Sequence, residues 1–283
     1  MSIRFLAHGL LSTALVAVAV GCTSTATPPA ASPVPPPSCA APPPSGVDTP
    51  QAWLGYIAAH HADVALALDD GRGTRVMLRP DEQQPVASAA KVVHLAAYGR
   101  AVAEGSVRAE DQIRIADWER WYLPGLDGGA HPKALDRLGV PNDGVRALDP
   151  QRSVPLDAIV TAMIQESDNA AADFLRDRLG DQALSQATAD GGWAGVDLPS
   201  FLGGALVLVT PELGPGSVPR AQRAAAELAL ARRFATDPAL RTELSARPAP
   251  PIEVQQRWAE ETATGSANQL AALHRAIATG EFG

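Results

Sequence analysis

Ser88 and Lys91 stand three positions apart, and Ser167, Asp168 and Asn169 follow in a row 79 positions beyond Ser88. A hydroxyl, an amine, a second hydroxyl and an amide are the groups that acylation of a serine requires. A serine hydroxyl is a poor nucleophile until a neighbouring base takes its proton. A lysine amine can be that base only when neutral, and burial favours the neutral form. Ser167 could relay the proton beside Lys91, and the Asn169 amide could bond both the lysine and a substrate carbonyl. The chain has only two lysines, Lys91 and Lys133, and three asparagines. Both patterns together arise by chance in about one such chain in a thousand. Each also has a plain structural reading: Ser88 as an N-cap with Lys91 laid along the surface, and Ser167–Asn169 as cap residues in a helix-to-helix turn.

The elements around these residues suit the chemistry. Residues 64–68 and 74–78 are short apolar runs on either side of Asp69-Asp70-Gly71-Arg72-Gly73, the pattern of a β-hairpin. From Ala89 an apolar face recurs at helical spacing to a stop at Gly105, which places Ser88 in the first turn with Lys91 one turn on. Free N–H groups at that helix start would suit a developing oxyanion. A helix is predicted over Val154–Glu166, started by Ser153 and Pro155, and a second over Ala170–Leu179, stopped by Gly180. Ser167-Asp168-Asn169 is the break between them. Thr49 caps a further helix that opens on Pro50, and Ser266–Gly280 reads as the last one.

With these motifs in this order, the chain resembles the serine β-lactamase and penicillin-binding protein superfamily, in particular its class A-like members. The resemblance covers roughly Thr49 to the C-terminus. It implies an α+β fold, with an antiparallel sheet flanked by helices plus an all-helical lobe. It also implies Ser88 as the acylated nucleophile, Lys91 as its base, Ser167 as proton shuttle to the leaving nitrogen and Asn169 as a substrate-binding amide. Asp168 would hold the loop. Trp121-Tyr122-Leu123-Pro124-Gly125 lies between the motifs, where Tyr122 could line the substrate site from the rim or simply pack.

Two family features are missing. No Lys-Thr-Gly triad follows, since there is no lysine after Lys133. The C-terminal strands that carry it are expected to be absent through truncation, which would leave the hairpin with an unpaired edge and the 283-residue product poorly stable. Genuine loss of the motif is the alternative. The second missing feature is the deacylating glutamate: Phe201-Leu202-Gly203-Gly204-Ala205 stands at the equivalent spacing. Glu212 and Glu166 are near, but neither has the family context, so acylation is expected to outpace hydrolysis.

Ahead of the domain, residues 1–21 read as a signal peptide, with Arg4 before the apolar Leu10–Val20. Small residues precede Cys22, which suits lipidation of that cysteine, or an ordinary cleavage site with an incidental Cys. Residues 22–48 are a Pro-, Ala-, Ser- and Thr-rich tether that includes Cys39, and 49–283 form the hydrolase domain. A net charge of −8 without basic clusters argues against nucleic-acid binding, and the histidines show no metal spacing. The expectation is a monomer without metal or cofactor, lipid-anchored on the outer face of a bacterial cell membrane, or else secreted. Its substrate would be a β-lactam or peptidoglycan-like amide. A non-catalytic cell-wall-binding lipoprotein with a degenerate form of the fold is the alternative.

Overall fold

The computed structural model describes residues 48–283 apart from position 217. The signal segment 1–21, Cys22, Cys39 and all of the tether but Asp48 lie outside the described residues. The described part is α+β and mostly helical. It opens with α1 (Pro50–Ala59), where the Thr49 hydroxyl accepts the Ala52 N–H and Pro50 takes the first position, which needs no donor. Strands β1 (Leu66–Asp69) and β2 (Arg75–Leu78) pair antiparallel, with Leu66 opposite Leu78 and Asp69 opposite Arg75. Carboxylates build the turn: Asp69 accepts the Gly71 N–H, and Asp70 accepts those of Arg72 and Thr74. No third strand joins this pair among the described residues, and Leu68, Val76 and Met77 are each about half exposed.

After β3 (Gln84–Pro85) and a 3-10 turn (Ala87–Ala90) come α2 (Lys91–Ala103), β4 (Gln112–Arg114), α3 (Ile115–Glu119) and α4 (Ala130–Arg137). Next are β5 (Ser153–Pro155), α5 (Leu156–Gln165), α6 (Asn169–Leu179) and α7 (Asp181–Asp190). The chain continues with α8 (Phe201–Val209), α9 (Arg220–Thr236), α10 (Pro238–Ser245), α11 (Ile252–Glu260), β6 (Thr264–Gly265) and α12 (Ala267–Ala278). Val154, expected in a helix, instead faces Ile113 in the β4–β5 ladder. The helix starts at Leu156 because Pro155 keeps an extended ψ of 146° and serves as its N-cap. β3 pairs with β6, which draws Ser266 and α12 back beside the segment leading to Ser88.

α2 is the axis of the fold. Its Val92, Val93, Ala96 and Ala97 join one apolar cluster with Leu184, Trp193, Leu273 and Phe282. Its Tyr98 and Ala101 join the other, built on Trp118, Leu156, Ile159, Met163, Leu206 and Phe234. Each such side chain contributes about 1.5–3 kcal/mol when fully buried, so a helix set into two clusters is held firmly at both faces. α8 lies almost backbone to backbone on α9: a Cβ on Gly203 would sit about 1 Å inside van der Waals contact with the Glu227 carbonyl.

Candidate active site

Ser88 sits in the 3-10 turn that runs into α2, exposed, just after Ala87, whose φ of 43° is left-handed. Lys91 opens α2 and is 2 % exposed. Its Nζ lies 2.9 Å from Ser88 Oγ, 3.0 Å from Ser167 Oγ, 2.8 Å from the Ser167 carbonyl oxygen and 2.6 Å from Asn169 Oδ1. The structure therefore brings Ser88, Lys91, Ser167 and Asn169 around one nitrogen. Ser167 has φ 64°, so its own carbonyl can turn toward the amine along with its side chain.

The valences of that nitrogen are informative. The Ser167 carbonyl and the Asn169 amide oxygen can only accept, so they claim two of its hydrogens. The third valence remains for the hydroxyls: a hydrogen when the amine is charged, a lone pair when it is neutral. Burial lowers the Lys91 pKa to about 8, against the pull of the Asp168, Asp173 and Asp127 carboxylates. Close to neutral pH, then, roughly a tenth of the molecules carry a lone pair aimed at Ser88 and Ser167. The Phe201 ring, 4.5 Å from Nζ, closes the other side. His94, one turn along α2, is kept neutral, because burial with Arg176 and Lys91 nearby lowers its pKa to about 3, and so it adds no charge beside the lysine.

Two buried acids organise this environment: Asp168, the N-cap of α6, which was expected to hold the loop, and Asp173 within α6, which escaped the sequence reading. Asp168 caps α6 by accepting the Ala171 N–H at 2.7 Å, while its other oxygen lies 2.6 Å from His131 Nδ1. Asp173 accepts the Ser200 hydroxyl and the Leu202 N–H, each at 2.7 Å. Burial raises its pKa to about 6, partly offset by those bonds, by Arg176 and by Lys91. It fixes the start of α8 and so the place of Phe201. Ser200 three residues before Gly203 is a cap signal that could have announced this helix, but an acid inside an alanine-rich run carries no pattern.

Tyr122 is not at the cleft rim. It is 3 % exposed, stacked on His131 at 4.2 Å between ring centres, with Arg146 against its ring. With Asn169 and Phe201 it borders a small side cavity, while the aromatic ring against the Lys91 amine is Phe201. The cleft beside Ser88 measures about 400 Å³, the size of a small-molecule site, and runs from Ser88, Asn169 and Leu126 across Phe201 to Trp258. Glu166 and Glu212 do not line it: Glu166 is held by Arg137, and Glu212 lies 3.5 Å from Arg247. The acids that do are Glu227 and Glu261, bound by Arg220 at 2.9 Å and Arg223 at 2.7 Å. Among the described residues no group of three His, Cys, Asp or Glu could hold a metal ion.

A serine sharing a buried amine with a second hydroxyl lies here on a helix-rich α+β frame, a fold of the serine-hydrolase type. Residues 55–283 match the Beta-lactamase enzyme family, and the chain belongs to it. No curated protein matches. Among solved structures the chain is similar to one described as the structure of PBP-A, at 19 % identity and TM-score 0.38, over 77 % of this chain and 54 % of that one. It is also similar to a peptidoglycan synthesis regulatory factor (PBP3) from Streptococcus pneumoniae, at 13 % identity and TM-score 0.43, over 76 % of this chain and 49 % of that one. The chain thus spans about half the length of these structures.

Proposed function

We propose that this protein is an exported serine hydrolase that opens a β-lactam or peptidoglycan-like amide through an acyl-serine at Ser88. The observation that carries the reading is the single Lys91 nitrogen within 3.0 Å of both hydroxyls. In the first step Ser88 Oγ attacks the amide carbonyl as its proton passes to the Lys91 lone pair. The carbon–nitrogen bond then breaks, the leaving nitrogen takes the Ser167 proton, and the Lys91 ammonium returns one to Ser167 Oγ. The balance is one ester formed, one amide broken, and a neutral amine and lysine restored. Asn169 turns its amide oxygen to Lys91, which leaves its NH₂ to bond a substrate carbonyl. The N-terminal sequence pattern supports export with lipid attachment at Cys22 to the outer face of a bacterial membrane, and we propose a monomer.

The test is a fluorescent penicillin. One covalent adduct per chain, mapped to Ser88 by mass spectrometry and lost in Ser88→Ala, is expected. Labelling elsewhere, or none at all, would refute the hydrolase reading and favour a protein that only binds cell-wall material.

A further inference from the structure

His131 is fully buried and has no part in the steps above, yet both of its ring nitrogens face carboxylates. Nδ1 faces Asp168 Oδ2 at 2.6 Å, and Nε2 faces Glu119 Oε1 at 3.3 Å. Ionised carboxylates only accept, and a neutral imidazole has one N–H, so only the imidazolium donates to both. The ring lies between Tyr122, stacked at 4.2 Å, and Trp118, edge-on at 4.7 Å, where water cannot substitute for either bond. Its position is fixed from the main chain too: Asp127 accepts the His131 N–H at 2.8 Å and the Gly129 N–H at 3.0 Å. Glu119 is tied further by the Ala147 N–H at 2.7 Å.

We infer that His131 is a positioning residue for the acylation centre: its imidazolium ties the Ser167–Asn169 turn to α3 and α4 and offsets the Asp168 charge that would otherwise act unopposed on Lys91. The inference rests on the proposed function for its importance to activity, but not for its physics. The charged groups facing His131 are Asp168, Glu119 and the Asp127 carboxylate at its main chain, with Arg146 behind Tyr122. Those acting on Lys91 are Asp168, Asp173 and Asp127, with Arg176 next to Asp173. Burial opposes the imidazolium, but the charge and hydrogen bond of Asp168 and the bond to Glu119 outweigh it and lift the His131 pKa to about 9. His131 therefore remains mostly charged at the midpoint of the Lys91 titration.

With only two lysines in the chain, a full-length sample carrying ¹³Cε-lysine gives two signals, and Lys133→Arg identifies Lys91. Lys91 is expected to titrate near 8 in the wild type. His131→Gln keeps a hydrogen-bonding amide and removes the positive charge, so the Lys91 midpoint should rise by half a unit or more. Asp168→Asn should lower it, and the double variant should return toward the wild-type value. An unmoved midpoint in folded His131→Gln overturns the inference. Should that variant not fold, the imidazole resonance of His131 in the wild-type protein decides: charged at pH 7 supports the clamp, neutral at pH 7 overturns it. Neither readout involves acylation. Titrations as expected without Ser88 labelling would sink the hydrolase reading alone, and labelling with an unmoved Lys91 would sink the clamp alone.

Discussion

Gly203 and Gly204 are adjacent in α8, yet an alanine at each should have very different consequences. Both substitutions gain about the same helix propensity, near 1 kcal/mol, so that effect cancels in the comparison. The surroundings differ. A Cβ at Gly203 meets the Glu227 carbonyl of α9, about 1 Å inside contact distance, and would also lie only 2.9 Å from Ser200 Oγ. Both the helix it sits on and the helix it strikes are backbone, so neither can yield by a rotamer change. Overpacking of this kind costs about 1–3 kcal/mol, and a clash of main chain against Cβ belongs at the upper end or beyond. A Cβ at Gly204 meets only Trp258 Cζ2, at 3.1 Å, and that indole is partly exposed and can swing toward solvent. The net expectation is a loss of about 2 kcal/mol or more for Gly203→Ala, and a change within about 1 kcal/mol for Gly204→Ala. For a domain of this size that is a drop in Tm of roughly 4–8 °C against little or none, read by thermal unfolding of the two variants side by side. Equal melting temperatures for the two would mean that α8 does not lie on α9 as described, and that Phe201 is not held against Lys91 by this packing.

Other expectations follow from the charges. The acylation rate should rise about tenfold per pH unit below 8 and level off above it, because the reactive amine is the deprotonated form; Lys91→Ala should cost 10²- to 10⁴-fold, and Lys91→Arg should not restore it, since a guanidinium stays charged. A flat pH–rate profile, measured by penicillin labelling, would remove Lys91 from the base role. Asp173→Asn should shift that profile to lower pH by removing one of the carboxylates that favour the Lys91 ammonium. Because the folded pKa of Asp173 is raised to about 6, its contribution to stability is full below about pH 4 and is lost as pH rises through 6; denaturant melts of wild type and Asn variant should therefore diverge in favour of the variant by on the order of 2–3 kcal/mol between pH 4 and 7, and parallel curves would contradict the burial argument. Stopped-flow hydrolysis of a chromogenic cephalosporin should give a burst of about one product per enzyme and then slow turnover, since Glu227 and Glu261 in the cleft are both bound to arginines. Steady turnover on the order of a hundred per second without a burst would require a free base there.

What could be read before the structure was known is what depends on local order. The three-residue step from Ser88 to Lys91 is one helical turn wherever it occurs, and α6 ends at Gly180 because φ of 84° suits a residue without Cβ. The start of α12 was equally readable, since Ser266 and Gln269 form a reciprocal capping box. Val154 went wrong because Pro155 looks the same whether it begins a helix or ends a strand. The residues that set the chemistry of Lys91 leave no such trace. His131 and Asp168 are 37 positions apart, Ser200 and Asp173 are 27 apart, and neither pair recurs at any period. Phe201–Val209 is apolar throughout, which periodicity alone cannot assign to a core helix, and nothing in it points to a lysine more than a hundred residues earlier. A motif names the groups that can exchange a proton. Whether the amine among them is neutral enough to accept one depends on burial and on three carboxylates brought in by α6 and the segment before α4. Those are properties of the packing, so Asp168, Asp173 and His131 deserve the same mutational scrutiny as Ser88 and Lys91 themselves.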